Sequence, residues 1–572
     1  MRPRARRRDN CRPQTTAGAC DGLRARATLV AACFLIAFAA LQTRLVMLGM
    51  TPVGEPQPTA YTDEGEPPIR GDIYDRNGAL LATSLRAMSL YADPTEVLDI
   101  DEVVRKLPGV LPDVDRDTLR QRLNRNARFV WIKRNLTPDQ VYQVNALGLP
   151  GLGFRDEYVR VYPQGPLAAH LLGGMNQAGN GAAGIEAGMN DSLQSGHDLT
   201  LSIDSRLQNS LREALLETMA ETKAKGVWGI SMDPFTGEIL AYVSLPDFDP
   251  NHYGSAAPNQ WRDRLNTGVY EMGSTFKMFT MAMAMEHKRL SPSSAFDCTA
   301  PIRIGRFTIR DPYPKSRWMS LQEIFRYSSN IGASRIADLF EPEDQQSFLG
   351  RLHLLDTANI ELPGSAAPLR PSFDHWKRIQ SMTISFGHGI AVSPVAMISA
   401  ASALVGDGHW RQPTVLKRTT PTTAEQIVSP RIVKLMRDLL YDVAEHGTAH
   451  AARMTGYAVG GKTGTAEKNV NGQYLHHHNL ASFFGVLPLE QPRLATLIMV
   501  DEGLGGEGTG GSVAAPAFAR FAKKAVPILG IAPTAGQGNM LAELVPQPGF
   551  SPRRTAGDIY DSVAAIWSTR HP

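Results

Sequence analysis

The sequence predicts an α+β protein with more than one domain. A chain of 572 residues is too long to fold around a single hydrophobic core. From about residue 226, apolar strand patterns precede a helix-rich middle, and strand patterns return near the carboxyl end. This order predicts a central antiparallel sheet flanked by helices, whose first and last strands share that sheet.

The amino-terminal segment has the charge pattern of a membrane anchor. Eight arginines and only two acidic residues occupy the first 26 positions. An uncharged run from Ala27 to Thr43 follows, and apolar residues extend it to Met50. We therefore predict a basic cytoplasmic tail (1–26) and one transmembrane helix (27–50), with the rest of the chain outside the cytoplasm. The alternatives are a buried core helix and a signal peptide cleaved near Ala37-Phe38-Ala39.

Charge and cysteine content exclude several classes of function. The net charge is only +3 and the basic excess is local to the amino terminus, so nucleic-acid binding is not predicted. Of the four cysteines, the predicted topology places only Cys298 in the exported part. An intramolecular disulfide is therefore not expected there, and the cysteine spacing matches no metal or redox motif. We predict neither a metal nor a cofactor.

Residues 51–225 are predicted to form a non-catalytic domain. After a linker that contains prolines, Asn77-Gly78 lies between apolar runs, which predicts a hairpin closed by a type I′ turn. Residues 99–149 have a helical pattern, and Leu199–Asp204 alternates as a strand does. No grouping of residue types suited to catalysis occurs in this stretch.

The region 226–532 has the strongest secondary-structure signals. Ser320 and Glu323 have the spacing of a capping box that opens a helix. The last segment, 533–572, is too short and too rich in Pro and Gly for another domain and is predicted to be a flexible tail. The other predicted elements are the strands Val227–Met232, Glu238–Val243, Lys462–Val470, Leu480–Leu487 and Leu494–Val500 and the helix Val513–Val526.

Ser274 and Lys277 stand at the start of a segment that is apolar nearly all round. At positions i and i+3 of a helix the two side chains share a face. A serine hydroxyl becomes a good nucleophile only when a base takes its proton, and a desolvated lysine can be that base. Alone, this S-x-x-K pattern is weak, because a capping serine and a surface lysine produce it equally well.

Two further motifs follow along the chain. Ser328-Ser329-Asn330 lies between two predicted helices and offers a hydroxyl and an amide to a cleft, although alone it is typical of a helix cap. Lys462-Thr463-Gly464-Thr465 opens the terminal strands and offers a cation and hydroxyls to a carboxylate, although alone it is typical of a strand with a bulge. Each pattern occurs once, in the order S-x-x-K, S-x-N, K-T-G.

This ordered set resembles the signature of the penicillin-binding proteins and the related serine β-lactamases. Further segments resemble class B penicillin-binding proteins, and the likeness runs from about residue 25 to 530. Within that class, Tyr270–Ser274 and Ser385–Pro394 resemble the division-specific (FtsI-type) transpeptidases of Gram-negative bacteria, although Met272 stands where many of them have proline. The further segments are Arg70-Gly71, Asp75–Gly78, Gly184–Glu186, Asp233–Ala241 and Phe248–Asn251.

The resemblance implies a single transmembrane helix, an elongated pedestal domain (51–225) and a penicillin-binding/β-lactamase-like transpeptidase domain (226–532). It also implies an oxyanion hole formed by the backbone N–H groups of Ser274 and Thr465. The roles implied for individual residues are nucleophile for Ser274, general base for Lys277, proton relay for Ser328, orienting donor for Asn330, and binding of the substrate carboxylate for Lys462, Thr463, Gly464 and Thr465.

The implied reaction is cross-linking of septal peptidoglycan. Ser274 would attack the carbonyl between the two D-alanines of a stem peptide and release the last one, and an amine of a neighbouring stem would then take the acyl group. β-Lactams would acylate the same serine. The implied partners are lipid-linked stem peptides, a SEDS-type glycan polymerase and small bitopic division proteins. The implied location is the bacterial inner membrane, with the catalytic domain in the periplasm.

Several alternatives remain open at this point. An elongation-type transpeptidase would share the chemistry, whereas a D,D-carboxypeptidase or β-lactamase would hydrolyse the acyl-enzyme. A β-lactam sensor would need several spanning helices, and a structural division subunit would not need the motifs. His476-His477-His478 is predicted to lie in a solvated loop rather than at a metal. His388 is predicted to line the cleft at most.

Overall fold

The structure is a computed structural model that describes residues 69–305, 307–470 and 473–533 together with positions 35, 38, 39, 41 and 42. The chain divides into two compact units, Met1–Pro67 and Pro68–Pro572. The predicted transmembrane helix and carboxyl-terminal tail fall almost entirely outside the described residues. Within the part that is described, no helix is long and apolar enough to cross a membrane.

Residues 69–204 form a mixed α/β region on a five-stranded sheet. Its elements are the strands β1 (Ile73–Tyr74), β2 (Leu80–Ala92), β3 (Val130–Leu136), β4 (Leu152–Val161), β5 (Gly174–Met175), β6 (Gly181–Ala183) and β7 (Leu199–Thr200), and the helices α1 (Ile100–Val110), α2 (Arg116–Leu123), α3 (Pro138–Ala146), α4 (Ala169–Leu172), α5 (Gly184–Gly188) and α6 (Asn190–Gln194). The long strand β2 pairs antiparallel with β1, β3 and β4, and β1 pairs parallel with β7. Helices α1 to α3 cover β2 and β3 with a separate apolar core.

Three local predictions for this region need correction. The hairpin of β1 and β2 exists, but its turn is not type I′, because Gly78 has a positive φ and Asn77 does not. The Asp75 carboxylate instead closes a longer loop by accepting from the N–H groups of residues 77 and 79. The stretch 99–149 includes strand β3, whose period-2 pattern is broken because the exposed Arg134 stands in phase with the buried Val130, Ile132 and Leu136. Only the first two residues of Leu199–Asp204 are a strand.

A buried ion cluster holds the ends of this region together. Glu186 is fully buried, and its carboxylate accepts from Arg70 Nε at 2.7 Å and from Arg160 Nε at 2.7 Å. The Tyr162 hydroxyl lies 3.3 Å from the same carboxylate. Because the two arginines come from sequence positions far apart, this one carboxylate joins the start of β1, strand β4 and helix α5.

We expect Glu186→Gln to destabilise the protein by about 3–5 kcal/mol, because two buried guanidinium groups would lose the charge that compensates them. Thermal unfolding of the purified protein measures the change. The matched control is Asp156→Asn, which breaks the exposed Arg86–Asp156 pair and should change stability by less than about 1 kcal/mol. Equal melting temperatures for the two variants would contradict the importance of the cluster.

The second region is an α/β layer structure that contains all three motifs. Its elements are α7 (Ser205–Thr222), β8 (Gly226–Met232), β9 (Ile239–Leu245), α8 (Lys277–His287), β10 (Ala295–Asp297), β11 (Ile302–Ile304), β12 (Phe307–Ile309), β13 (Trp318–Ser320), α9 (Leu321–Arg326), α10 (Asn330–Ala337), α11 (Pro342–Arg351), α12 (Arg378–Ile384), α13 (Pro394–Val405), β14 (His409–Trp410), β15 (Glu425–Gln426), α14 (Pro430–His446), β16 (Gly460–Val470), β17 (Gln473–Leu487), β18 (Leu494–Asp501) and α15 (Ala515–Ile528).

The main sheet has the strand order β16-β17-β18-β8-β9 and is antiparallel throughout. Pairing of β18 with β8 places the first and last strands of the region in one sheet, as the sequence predicts. Helices α7 and α15 pack together and on the sheet, and α13 and α14 also contact it. The capping box at Ser320 and Glu323 is present at the start of α9. Because β16 is an edge strand, one row of its backbone groups lies outside the ladder.

The two regions are tied by polar contacts near the start of α7. The Asp75 carboxylate accepts from the backbone N–H of Ser205 at 3.0 Å, and Arg76 pairs with Glu238 at 3.2 Å. Asn251 contributes a second tie, because its side chain contacts both backbone groups of Tyr162.

Candidate active site

The nucleophile of the S-x-x-K motif is held at the start of a buried helix. Gly273–Phe276 forms a 3-10 turn that continues into α8, whose residues from Met278 to Met285 are almost entirely buried. Gly273 has a φ of +52°, and a Cβ on Gly387 would lie 2.2 Å from the Gly273 carbonyl oxygen. Glycine is therefore required where these two loops touch. The buried helix and the loop contact together fix the position of Ser274.

Lys277 is fully buried and makes four close contacts through one nitrogen. Its Nζ lies 2.8 Å from Ser274 Oγ, 2.9 Å from the Ser328 carbonyl oxygen, 3.2 Å from Ser328 Oγ and 2.7 Å from Asn330 Oδ1. Burial, together with the nearby charge of Lys462, holds the pKa of Lys277 well below that of a free lysine. The first two motifs therefore meet at a single amine that favours its neutral form.

The types of these four partners decide what a neutral Lys277 can do. The Ser328 carbonyl and Asn330 Oδ1 can only accept, so they take the two N–H groups of the amine. The Asn330 amide is oriented for this, because its Nδ2 donates to the carbonyl of Arg310 at 3.2 Å. The lone pair of Nζ is left for a hydroxyl proton, and Ser274 Oγ is the nearer hydroxyl. The arrangement can activate Ser274 by general-base catalysis.

Lys462 of the third motif reaches the same cluster from β16. Its Nζ donates to Ser328 Oγ at 3.0 Å and to the Thr463 carbonyl at 3.1 Å. Burial lowers the pKa of Lys462 to about 7. Ser328 Oγ thus lies between two lysine nitrogens, where it can pass a proton from one side of the cleft to the other.

An aspartate that the sequence analysis did not identify positions the Ser328–Asn330 loop. Ser328 has a φ of +59°, a conformation that costs a non-glycine residue about 1–3 kcal/mol and requires support from its surroundings. Asp311 supplies that support: its carboxylate accepts from Ser329 Oγ at 2.7 Å and from the N–H groups of Asn330 and Ile331 at 2.6 and 2.9 Å. The buried carboxylate therefore caps α10. No motif surrounds Asp311, so the sequence contained no signal for this role.

We expect Asp311→Asn to slow acylation of Ser274 by about 10²-fold, because loss of the charge loosens the loop that carries Ser328 and Asn330. The loss of unfolding free energy should be only about 1 kcal/mol, as for a helix cap. Stopped-flow acylation by a chromogenic β-lactam, with thermal unfolding alongside, separates the two effects. Asp297→Asn is the control, because the carboxylate of that partly exposed aspartate hydrogen-bonds, among the described residues, only to nearby Thr299. An acylation rate for Asp311→Asn that matches this control would refute the positioning role.

The rest of the K-T-G motif packs against the nucleophile turn and the segment near residue 510. A Cβ on Gly464 would lie 2.6 Å from the Met272 carbonyl, so a side chain there would push the turn away. Thr463 Oγ1 lies 2.6 Å from Thr448 Oγ1, and Thr465 Oγ1 accepts from the Gly510 N–H at 3.1 Å. Both hydroxyls thus already have hydrogen-bond partners. A substrate carboxylate would have to share the hydroxyls with those partners or displace the partners.

The histidines considered in the sequence analysis have different surroundings. His388 lies beside the nucleophile turn, and burial lowers its pKa. His476–His478 are solvent-accessible, as predicted, but they do not lie in a loop. They are part of β17, in a bulge where the pairing passes from Asn479 directly to Leu475. Each ring contacts a different glutamate, so they do not converge. In the described ranges no group of three or more His, Cys, Asp or Glu could hold a metal.

The fold and site define a class of enzyme. The site is a serine acyl-transfer centre. It consists of a serine at the start of a buried helix, a lysine base one turn along, a second hydroxyl between two lysines, and an edge strand beside them. The family model of the penicillin-binding protein transpeptidase domain matches residues 229–523, and that of the penicillin-binding protein dimerisation domain matches residues 65–204.

Three curated relatives extend this likeness over most of the chain. The probable peptidoglycan D,D-transpeptidase FtsI of Caulobacter vibrioides is 36% identical, with 82% of each chain covered. The probable peptidoglycan D,D-transpeptidase PenA of Neisseria gonorrhoeae is 33% identical over 82% of this chain and 86% of its own. The peptidoglycan D,D-transpeptidase FtsI of Escherichia coli K12 is 29% identical over 86% and 90%.

A solved structure shares the fold. Penicillin-binding protein 3 of Mycobacterium tuberculosis, crystallised with aztreonam, superposes with a TM-score of 0.67 at 22% identity and covers 82% of this chain and 98% of its own. Taken with the family models and the curated relatives, this shows that the chain belongs to the penicillin-binding protein transpeptidases, with a dimerisation domain ahead of the transpeptidase domain.

Proposed function

We propose that this enzyme cross-links peptidoglycan by D,D-transpeptidation through an acyl-enzyme on Ser274. The observation that carries the proposal is the set of contacts at Lys277 Nζ, which lies 2.9 and 2.7 Å from two pure acceptors and 2.8 Å from Ser274 Oγ. When the amine is neutral, the two acceptors take its N–H groups, and its lone pair is left for the serine proton. The three relatives described above are each named as a peptidoglycan D,D-transpeptidase, which supports the choice of substrate.

Acylation begins when Ser274 Oγ attacks the carbonyl between the two D-alanines of a stem peptide, while Lys277 Nζ takes the hydroxyl proton. The backbone N–H groups of Ser274 and Thr465 stabilise the oxyanion, and each such donor is typically worth about 10²–10³ in rate. The edge position of β16 suits this role, because an extended peptide can align beside a strand whose outer backbone groups are free.

Collapse of the oxyanion breaks the C–N bond of the terminal D-alanine. Its nitrogen receives the proton from Lys277 by way of Ser328 Oγ, and free D-alanine leaves. An amine of a neighbouring stem then attacks the ester, the new amide forms, and the proton lost by that amine returns to Ser274 Oγ through Lys277. Lys462, Thr463 and Thr465 bind the terminal carboxylate, and Asn330 orients Lys277 and the substrate amide. A β-lactam carries a comparable carbonyl and carboxylate and would acylate Ser274 in the same pocket.

The test uses the full chain in detergent with a synthetic pentapeptide donor and an amine acceptor peptide. We expect D-alanine release to rise with acceptor concentration and to be matched by cross-linked product. Release of D-alanine without any cross-linked product would instead indicate a D,D-carboxypeptidase, and absence of release would refute the proposed reaction. If the enzyme hydrolysed a β-lactam at a rate comparable to the rate at which the β-lactam acylates it, the enzyme would instead be a β-lactamase.

We further propose a role in septal wall synthesis. The resemblance of Tyr270–Ser274 and Ser385–Pro394 to FtsI-type enzymes supports it, as do the two relatives named FtsI. Depletion of the protein in its host should produce filaments that fail to divide. Rounded cells would instead support the elongation-type alternative. Association with a SEDS-type polymerase and bitopic division proteins is part of this proposal, and co-purification from detergent extracts before and after depletion of each partner tests it.

We also propose that residues 27–50 anchor the enzyme in the inner membrane, with the catalytic domain in the periplasm. The arginine-rich tail supports this topology, and Leu35, Phe38 and Leu41 are helical apolar residues that are 70%, 62% and 59% exposed. Alkaline phosphatase should be active when fused after residue 68 and inactive when fused after residue 26. If the intact mass of the purified protein corresponds to a chain that begins near residue 40, the segment is instead a cleaved signal peptide.

A further inference from the structure

Glu502 is a carboxylate outside the acyl-transfer centre that takes no part in the proposed reaction. It directly follows β18, and its side chain is only 9% exposed. The carboxylate lies 2.7 Å from Lys225 Nζ, 2.7 Å from Lys468 Nζ and 2.9 Å from His478 Nδ1. Burial raises the pKa of Glu502, but the hydrogen bonds from these three side chains outweigh burial and lower the pKa to about 2. The carboxylate is therefore charged at neutral pH.

The backbone at Glu502 has an unfavourable conformation. Glu502 has a φ of +52° and Leu504 a φ of +55°, and Gly505 and Gly506 also have positive φ. A left-handed conformation in a residue other than glycine persists only where the surrounding structure holds it. At Glu502 the N–H donates to the Asn479 carbonyl at 3.0 Å, and the carboxylate adds its three contacts. These contacts hold the turn that follows β18.

Of the three partners, Lys468 is the one on the strand of the K-T-G motif. It belongs to β16, three residues after Thr465. Between these two residues the ladder with β17 is interrupted by the bulge at His476–His478. A bulge leaves residues unpaired and disrupts the ladder locally. Lys468 Nζ bridges the interruption, because it reaches past β17 to Glu502 and also contacts Asp501 at 2.9 Å.

The turn that begins at Glu502 meets the motif a second time. It continues to Gly510, whose N–H donates to Thr465 Oγ1 at 3.1 Å. A Cβ on Gly510 would lie 2.5 Å from the Gly464 carbonyl oxygen, so this segment packs directly on the motif. Glu502 is thus connected to Thr465 along β16 through Lys468 and along the turn through Gly510.

Lys225 distinguishes an effect on β16 from an effect on the end of the sheet. It lies at the same distance from the carboxylate as Lys468 does, but it directly precedes β8, and its side chain is 64% exposed. In the strand order, β17 and β18 lie between β8 and β16. Removal of the Lys225 cation therefore leaves the connection from Glu502 to β16 in place.

We propose that Glu502 is a positioning residue for the substrate-binding segment Thr463–Thr465, which it holds in place through Lys468. This inference rests on the proposed transpeptidase function. The outer edge of β16 is left for the substrate, so only contacts from the side of the sheet can fix the position of this strand. A displacement of β16 misaligns the Thr465 N–H with the oxyanion, and a misplacement of about 1 Å can cost about 10² in rate. Loss of the Glu502 charge should therefore slow acylation by about tenfold.

The test measures the first-order rate constant of acylation of the full chain in detergent at saturating chromogenic β-lactam, expressed per titratable active site. Unfolded molecules do not titrate, so a loss of stability alone leaves this constant unchanged. We expect Glu502→Gln and Lys468→Met each to lower it by about tenfold. The double variant should be no slower than either single variant, because both substitutions remove the same contact.

Two controls accompany these variants. Lys468→Arg keeps the cation on β16 and should stay within about twofold of the wild type. Lys225→Met removes a cation that contacts the same carboxylate but does not belong to β16, and it should also stay within about twofold.

Three results would overturn the inference. They are a wild-type rate constant in Glu502→Gln, additive losses in the double variant, and a loss in Lys225→Met as large as that in Glu502→Gln. If Glu502→Gln yields no folded protein, the two Lys468 variants decide, and equal rate constants for Lys468→Met and Lys468→Arg would overturn the inference. Failure of the proposed function is distinguishable, because the wild type would then be acylated by the β-lactam but would form no cross-linked product from the stem-peptide donor.

Discussion

Ser274→Ala is expected to abolish covalent labelling by fluorescent penicillin, with a loss of at least about 10³-fold in labelling rate. Alanine lacks the hydroxyl that forms the ester. The other hydroxyl near Lys277 Nζ, Ser328 Oγ, is farther from it, at 3.2 Å against 2.8 Å, and also accepts from Lys462. The fold should be unchanged, because Ser274 Oγ has no partner besides Lys277 in the described contacts. In-gel fluorescence after denaturation measures the label, and thermal unfolding checks the fold.

Ser293→Ala is the matched control for this experiment, because that exposed serine contacts only a neighbouring serine, Ser291. It should label as the wild type does. Labelling of Ser274→Ala at the wild-type rate would show that a different residue is acylated, and the assignment of the nucleophile would be wrong.

Lys277→Met is expected to slow acylation by about 10³-fold while leaving the protein folded and as stable as the wild type or more so. A general base typically contributes 10²–10⁴-fold, and methionine fills nearly the same buried volume without a group that accepts a proton. Replacement of a buried, desolvated amine by an apolar side chain removes a desolvation penalty, which favours folding. Stopped-flow acylation and thermal unfolding measure the two effects.

The pH dependence of acylation provides a second measurement of the same residue. Lys277 acts as a base only when neutral, and its pKa is held well below that of a free lysine, so acylation should rise with pH through that lowered pKa. Lys462, with a pKa of about 7, loses its charge as pH rises through that value, so kcat/KM should fall there as carboxylate binding weakens. The profile should be bell-shaped, and its two limbs belong to the coupled pair.

A variant of Lys462 distinguishes the two limbs of the pH profile. Lys462→Gln should lose the falling limb of the pH profile, and its rising limb should move to higher pH. The acylation rate of the variant should therefore be lower than that of the wild type at low pH but not at high pH. The reason is that the positive charge of Lys462 is one cause of the lowered pKa of Lys277. A rising limb at the same pH in wild type and variant would contradict this coupling. Lys277→Met should show no rising limb at all.

Much of the fold could be predicted because local patterns and long-range packing agree in the second region. The strands Val227–Met232 and Leu494–Val500 are mostly apolar and buried on both faces, and they lie side by side at the centre of the sheet. Prediction was less successful where polar side chains, rather than the local sequence pattern, determine the conformation of the backbone. The Asp75 carboxylate changed the expected turn, an exposed arginine at an inward-phase position obscured β3, and a three-residue bulge placed His476–His478 in a strand.

The candidate site shows the same division between sequence and tertiary structure. Sequence by itself determined which motifs are present and in what order, and it thereby indicated Ser274, Lys277 and Lys462, because their chemistry depends on residue types at short spacings. Only the tertiary structure decided which atoms meet at Lys277 Nζ and that Asp311 supports the Ser328–Asn330 loop. The physical reason is that hydrogen bonding and desolvation depend on distances between segments far apart in the chain, which a single sequence does not encode as a local pattern.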